Sequence, residues 1–264
     1  MQRKIQYTVF IIALFLAFRV TAQNALFLNH GNIVFEKKVN TYALQKERMS
    51  KNEADNAGWD DAILDASKKN NNGFTVTHAN LAFKDDKTLY TPIEESNPNT
   101  SDFYFIDMSS GKQGNIVYSD FDKDQSIAQK TVYGDQFLIT DSTRKIRWKI
   151  TDELRDIAGF HCRRANAVIM DSVYVVAFYT NQIPTSGGPE SFSGLPGMIM
   201  LLALPHQHIE WTATKVTLNP AVTDATLTPP KKGKAVNQKE FIDKLKGSLK
   251  DWNNLNSILQ NASF

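Results

Sequence analysis

Two histidines separated by a single residue, His206 and His208, and a third joined to the sole cysteine in His161-Cys162 are the side chains of this 264-residue chain best suited to chemistry. On a strand, residues two apart share a face, so His206 and His208 there would offer two imidazoles to one ion. His161 and Cys162 could add ligands for copper or zinc. The competing reading places His206 and His208 in a hairpin loop opened by Pro205, where solvated histidines are ordinary, and makes Cys162 a buried, inert thiol. Nucleophile motifs are missing from the sequence: neither Gly-x-Ser-x-Gly nor His-Glu-x-x-His occurs, and Ser193-Gly194 lacks the strand-to-helix context of an exposed serine elbow. Asp120-Phe-Asp-Lys-Asp124 lacks the glycine and terminal glutamate of a calcium loop and reads as a solvated acidic turn. These residues lead to an expectation of no cofactor and of a non-catalytic chain, with a thiol- or metal-dependent enzyme as the alternative.

The elements that must position these groups are mostly strands. His30 to Val39 sets Ile33, Phe35 and Val39 on one side, as in a half-buried strand. Between about 41 and 70 the period changes to that of a helical insertion with a thin apolar stripe. Asn70-Asn-Asn-Gly73 is a turn, Phe74 to Phe83 a strand, and Asp85-Asp86 the hairpin turn into Lys87 to Pro92. Further short strands are expected at 103–106, 114–118, 126–133, 136–140, 146–150, 164–170, 173–180, 198–204 and 209–218. Their regular spacing, with turn residues between them and no βαβ rhythm, predicts a mainly β fold with helical additions, built on a curved or partly closed antiparallel sheet. Thr228-Pro-Pro-Lys-Lys-Gly-Lys234 opens a linker over 228–236. From 237 to 264, Asn237 and Glu240 form a capping box, and Phe241, Leu245, Leu249, Trp252, Leu255 and Leu259 make one apolar stripe. That pattern predicts a C-terminal amphipathic helix packed on the sheet, weakened by Gly247.

The first 22 residues read as a cleaved signal peptide. A basic Met1-Gln-Arg-Lys4 precedes the apolar run Val9 to Phe18, and Val20-Thr-Ala22 supplies small residues before Gln23. The run is shorter than the ~18 residues of a membrane span. Residues 23–227 are expected to form the β domain. The chain carries 30 basic and 28 acidic residues; losing Arg3, Lys4 and Arg19 with the leader leaves 27 against 28. A near-neutral mature chain lacks the general basic footprint of nucleic-acid binding. One cysteine excludes an intramolecular disulfide framework.

Residues 183–199 carry the strongest motif. Ile183-Pro184, Gly188-Pro189, Phe192 and Gly194-Leu195-Pro196-Gly197-Met198-Ile199 lead into the apolar strand ending at Leu204. Pro196 and Gly197 suit the two central positions of a type II turn. Upstream, Lys145-Ile-Arg-Trp-Lys-Ile150, Ile157-Ala-Gly-Phe-His-Cys162 with Ala165, and Ala177-Phe-Tyr-Thr180 precede it in order. This succession resembles the GLPGLI family of exported Bacteroidetes proteins, with Phe178 where a Trp is usual and Met198 in place of a Leu. His30-Gly-Asn-Ile-Val-Phe-Glu36 is also similar to that family's opening strand. The resemblance implies export, to the periplasm or an outer-membrane-associated position, and a β-rich fold. It further implies a partner, because genes of this kind often neighbour those of outer-membrane receptors. The expected function is an envelope binding or accessory protein using the 183–197 loop. A periplasmic carrier is the alternative, with a lipid-like, apolar ligand in the concave side of the sheet.

Overall fold

A computed structural model describes residues 27–51, 65, 68, 73–94, 114–132, 134–250 and 255–264. Among them are strands β1 (His30–Asn40), β2 (Phe74–Lys84), β3 (Lys87–Ile93), β4 (Ile116–Asp120), β5 (Gln125–Val132) and β6 (Asp135–Asp141). The later strands are β7 (Lys149–Ile157), β8 (Phe160–Ile169), β9 (Val173–Thr180), β10 (Met198–Leu204), β11 (Ile209–Thr217) and β12 (Lys234–Val236). Helices α1 (Thr41–Lys51), α2 (Gln238–Ser248) and α3 (Leu255–Ala262) complete the described elements. The expected strand over 103–106 and most of the insertion over 41–70 lie outside the described residues.

The strands form one open sheet in the order β12-β6-β5-β4-β3-β2-β1-β11-β10-β9-β8-β7. Neighbouring pairs are antiparallel except β12, which runs parallel to β6. Turn chemistry explains the hairpins: Asp85 and the Ala158-Gly159 pair take positive φ, as tight antiparallel turns require. β1 joins the two halves of the sheet, bonding β2 along one edge and β11 along the other. At the β7 end the sheet curls until β7 comes within contact of β11.

Alternation fixes the inner face. Ile33, Phe35 and Val39 of β1 point into the core with Leu81, Phe83, Tyr90, Val117, Phe137, Ile139 and Trp211 from other strands. The outer face over β2 to β5 is covered by the segment after β11, whose Val222 and Leu227 pack on Tyr118, Leu89 and Ile127. Asp224 pins this crossing to Lys84 at 2.8 Å and Lys87 at 2.5 Å. The crossing delivers β12 to the far edge, so the segment over 228–236 ends as a strand.

Three further sequence expectations change. The strand expected over 146–150 begins at Lys149, because Trp148 turns onto the 183–197 loop and donates from Nε1 to the Ser193 carbonyl at 2.9 Å. The C-terminal helix is two helices. Asn237 and Glu240 close the capping box as expected, but Gly247-Ser248 end the first helix, and Leu249 leaves helical geometry at φ −115 and ψ 15. Trp252 lies outside the described residues. The turn at Pro196 is also different, as described below.

Candidate functional site

The 183–197 loop lies across the inner face of the sheet. Thr185 donates to the Asp85 carbonyl at 2.6 Å in the β2–β3 turn, and a Cβ on Gly187 would fall 2.7 Å from Thr88 Cγ2 of β3. Ile183, Gly188, Pro189, Phe192, Leu195 and Gly197 are buried, whereas Pro184, Gly194 and Pro196 reach solvent. The loop is tied to itself by Gly194 N–H to the Ser186 carbonyl and by Ser186 Oγ–H to the Leu195 carbonyl. The expected type II turn is absent. Met198 N–H donates to Ile183 at 3.0 Å instead of to Leu195, and Gly197 N–H closes a three-residue turn on Leu195 at 2.8 Å. The cause is close approach: Gly197, at φ 140, lies where a Cβ would come within 2.1 Å of the Thr180 carbonyl oxygen.

Beneath the loop is a charged centre that sequence reasoning missed. Lys37 of β1 and Lys130 of β5 point inward among apolar side chains, and Arg144 enters from the coil after β6. Glu190, at the loop's tip with φ 53, pairs with Lys37 at 3.6 Å and accepts from Asn115 Nδ2 at 3.0 Å. Lys130 Nζ donates to the carbonyls of Ala262 at 3.0 Å and Phe264 at 2.6 Å. Arg144 donates to the Ser263 carbonyl and lies over the Phe192 ring, 5.4 Å from its centroid. Phe192 in turn packs on Trp211 and Phe264, at ring separations of 6.2 and 6.0 Å.

Burial governs the ionisation here. It pushes Lys130 down to about 7, with Arg144 and Lys37 reinforcing the shift and Glu190 opposing it. It lowers Lys37 against the pull of Glu190, brings Arg144 to about 10, and holds the Tyr90 phenol well above its ordinary range. The signal was in the alternation: Lys37 has the same parity as Ile33, Phe35 and Val39, and Lys130 the same as Ala128 and Val132.

The residues weighed for chemistry are dispersed. His206 lies in the 3₁₀ turn Pro205–Gln207, and His208 follows it at φ 55 with Nε2 3.0 Å from Glu47, so the pair does not share a strand face. His161 sits at the opposite end of the sheet, where β8 pairs with the end of β9, and its Nδ1 is 2.5 Å from Asp156. Among the described residues, no group of three or more His, Cys, Asp or Glu side chains is placed to hold a metal. Cys162 is buried, and that burial, aided by the charge of Asp156, drives its thiol to about 12. Tight pairing and a deprotonation-resistant thiol leave these groups poorly placed for nucleophilic or metal chemistry.

A family model described as a protein of unknown function (Porph_ging) matches residues 166–201, which span the end of β8, then β9, the loop and the start of β10. Comparison with curated proteins gives no match. Among solved structures the chain is similar to PNGF-II in two crystal forms. One match has 15% identity over 82% of this chain and 33% of the other, with a TM-score of 0.50. The second has 14% identity over 81% and 32%, also at 0.50. The chain therefore spans about a third of the length of these structures, and the likeness shows the fold alone.

Proposed function

We propose that this protein is an exported binding or accessory protein of the cell envelope, of GLPGLI type, that partners an outer-membrane receptor or complex through the β7–β8 edge of its sheet. The observation carrying this reading is the edge itself. β7 is the last strand in the order, and exposed apolar side chains collect along it and its neighbour: Leu154 at 72%, Val168 at 58% and Ile150 at 43% exposure. Charges on β7 pair across to β8, Arg163 with Asp152 and Arg164 with Glu153, which blunts indiscriminate strand pairing while leaving the apolar residues free to select a partner. The motif loop supports the reading by being packing material, with only Pro184, Gly194 and Pro196 presented outward.

The carrier alternative needs an inner face open to an apolar ligand, and that face meets the chain's own Phe192, Leu195, Phe241 and Phe264. The thiol-enzyme alternative needs a thiolate, which burial of Cys162 opposes. A photo-crosslinking residue at Leu154, introduced in the native host, should give a discrete adduct with one envelope protein. The same residue at exposed Lys231, in the segment crossing to the far edge, should give none. Equal labelling at both positions, or none at Leu154 and Val168, removes the edge reading.

A further inference from the structure

Charge is unevenly spread along the chain. Residues 231–251 hold seven lysines against three acids, whereas the other residues from 23 onward hold 20 basic against 25 acidic side chains. Elsewhere acids stand beside many of the cations: Lys84 and Lys87 share Asp224, Lys145 pairs with Asp124, and Arg164 with Glu153. In this stretch Lys234 reaches Asp135 at 2.8 Å and Lys239 reaches Asp243 at 3.0 Å. Lys231, Lys232, Lys244, Lys246 and Lys250 are exposed and have no ion-pair partner among the described residues. The fold gathers these lysines at one end of the sheet. β12 is the first strand in the order, and α2 follows it, turning Phe241, Leu245 and Leu249 into the core. Lys239 and Lys246, seven residues apart, share one line of the helix away from that apolar face, and Lys250, four residues on, continues it past Ser248.

What such a surface lacks narrows what it can meet. A site for a folded protein carries apolar or aromatic anchors, and a site for single-stranded nucleic acid carries exposed rings on which bases stack. Over 231–250 the one aromatic ring, Phe241, is buried, and none of the exposed large apolar side chains among the described residues lies there. What remains is a row of lysine ammoniums. These are compact, hydrated point charges that meet phosphate without a fixed fork geometry, and beside an anionic bilayer each adds about fivefold in affinity. We propose that the β12 edge and the outer side of α2 form an electrostatic docking surface for the phosphate groups of an anionic phospholipid bilayer. Charge complementarity carries the assignment: a cationic face without apolar anchors rests on the headgroup layer and inserts nothing into it. The assignment does not depend on the β7–β8 edge, which is at the other end of the strand order.

The test is sedimentation of the full chain, as its host produces it, with vesicles of equal parts phosphatidylglycerol and phosphatidylcholine, against vesicles of phosphatidylcholine alone. At about 0.1 M salt, where the Debye length is about 10 Å, wild type should bind the anionic vesicles at least tenfold more tightly, and about 1 M salt should release it. Lys244→Gln, Lys246→Gln and Lys250→Gln together should weaken binding on the order of a hundredfold. The matched triple Arg147→Gln, Lys149→Gln and Lys215→Gln, which removes exposed cations elsewhere, should leave it within about twofold. Equal losses in the two triples would reduce the effect to net charge and overturn the docking surface. Equal binding to both vesicle types, binding that survives about 1 M salt, or no binding at all also overturns it. Capture of an acidic protein without vesicle binding gives the lysines to a protein partner and removes the bilayer. If either triple fails to fold, the lipid and salt dependence of the wild type decides.

Discussion

At Lys130 burial and hydrogen bonding pull in opposite directions. Two of its three N–H groups are given to backbone oxygens of Ala262 and Phe264, yet the surrounding apolar face, Arg144 and Lys37 bring its pKa to about 7 from 10.5, with Glu190 resisting. The unfolded chain holds that proton up to 10.5, so between pH 7 and 10.5 it binds more protons than the folded chain and stability rises with pH. The slope from one such group approaches ~1.4 kcal/mol per pH unit, and Lys37, also lowered, adds in the same direction. Cys162 acts with the opposite sign. Its folded pKa of about 12 against 9.0 means that stability is lost as pH climbs above 9. Denaturant unfolding should therefore show stability increasing from pH 7 to 9 and levelling beyond. Lys130→Met should flatten the first limb, whereas an unchanged slope in that variant would assign the rise to other groups.

Two glycines separate the demands of helix and loop. Gly247 lies inside α2 with nothing within 4 Å of an added Cβ, so Gly247→Ala should stabilise the protein by about 0.5–1 kcal/mol. Gly197→Ala should cost more than ~2 kcal/mol, since a Cβ there meets the Thr180 carbonyl at 2.1 Å on a backbone at φ 140. Thermal melts of the two variants should move in opposite directions, and a tolerated Gly197→Ala would mean that the loop can lift from β9. The strands β1, β2, β9 and β11, which alternate, and β10, a continuous apolar run, were legible in the sequence because period two, apolar runs and turn residues are local properties. β12 was not: three residues in a basic, proline-rich stretch become a strand only because β6 offers an edge, and that edge is remote in sequence. The buried centre was half legible, since the parity of Lys37 and Lys130 was visible while Glu190 and the carbonyls that receive their protons were not. Cys162 was read correctly as buried, but nothing local foretold that His161 and His206 would fall at opposite ends of the sheet.

Across the whole molecule, the loop links regions that the strand order keeps apart. From β9 and β10 it reaches the β2–β3 turn through Thr185, β1 through Glu190 and α3 through Phe192, so the inner faces of the two halves share one core. Urea unfolding should follow one transition, with far-UV circular dichroism and tryptophan fluorescence coinciding. Two separated midpoints would show that the halves fold independently. The placement of β1 also sets a schedule for the ribosome. Its first edge closes on β2 soon after residue 84 is made, but its second waits for β11, where Thr214 Oγ1–H reaches the Val34 carbonyl across 180 positions of sequence. At roughly 5–20 residues per second, that edge stays open for about 10–40 s during synthesis, the interval in which a holding chaperone has the most to protect.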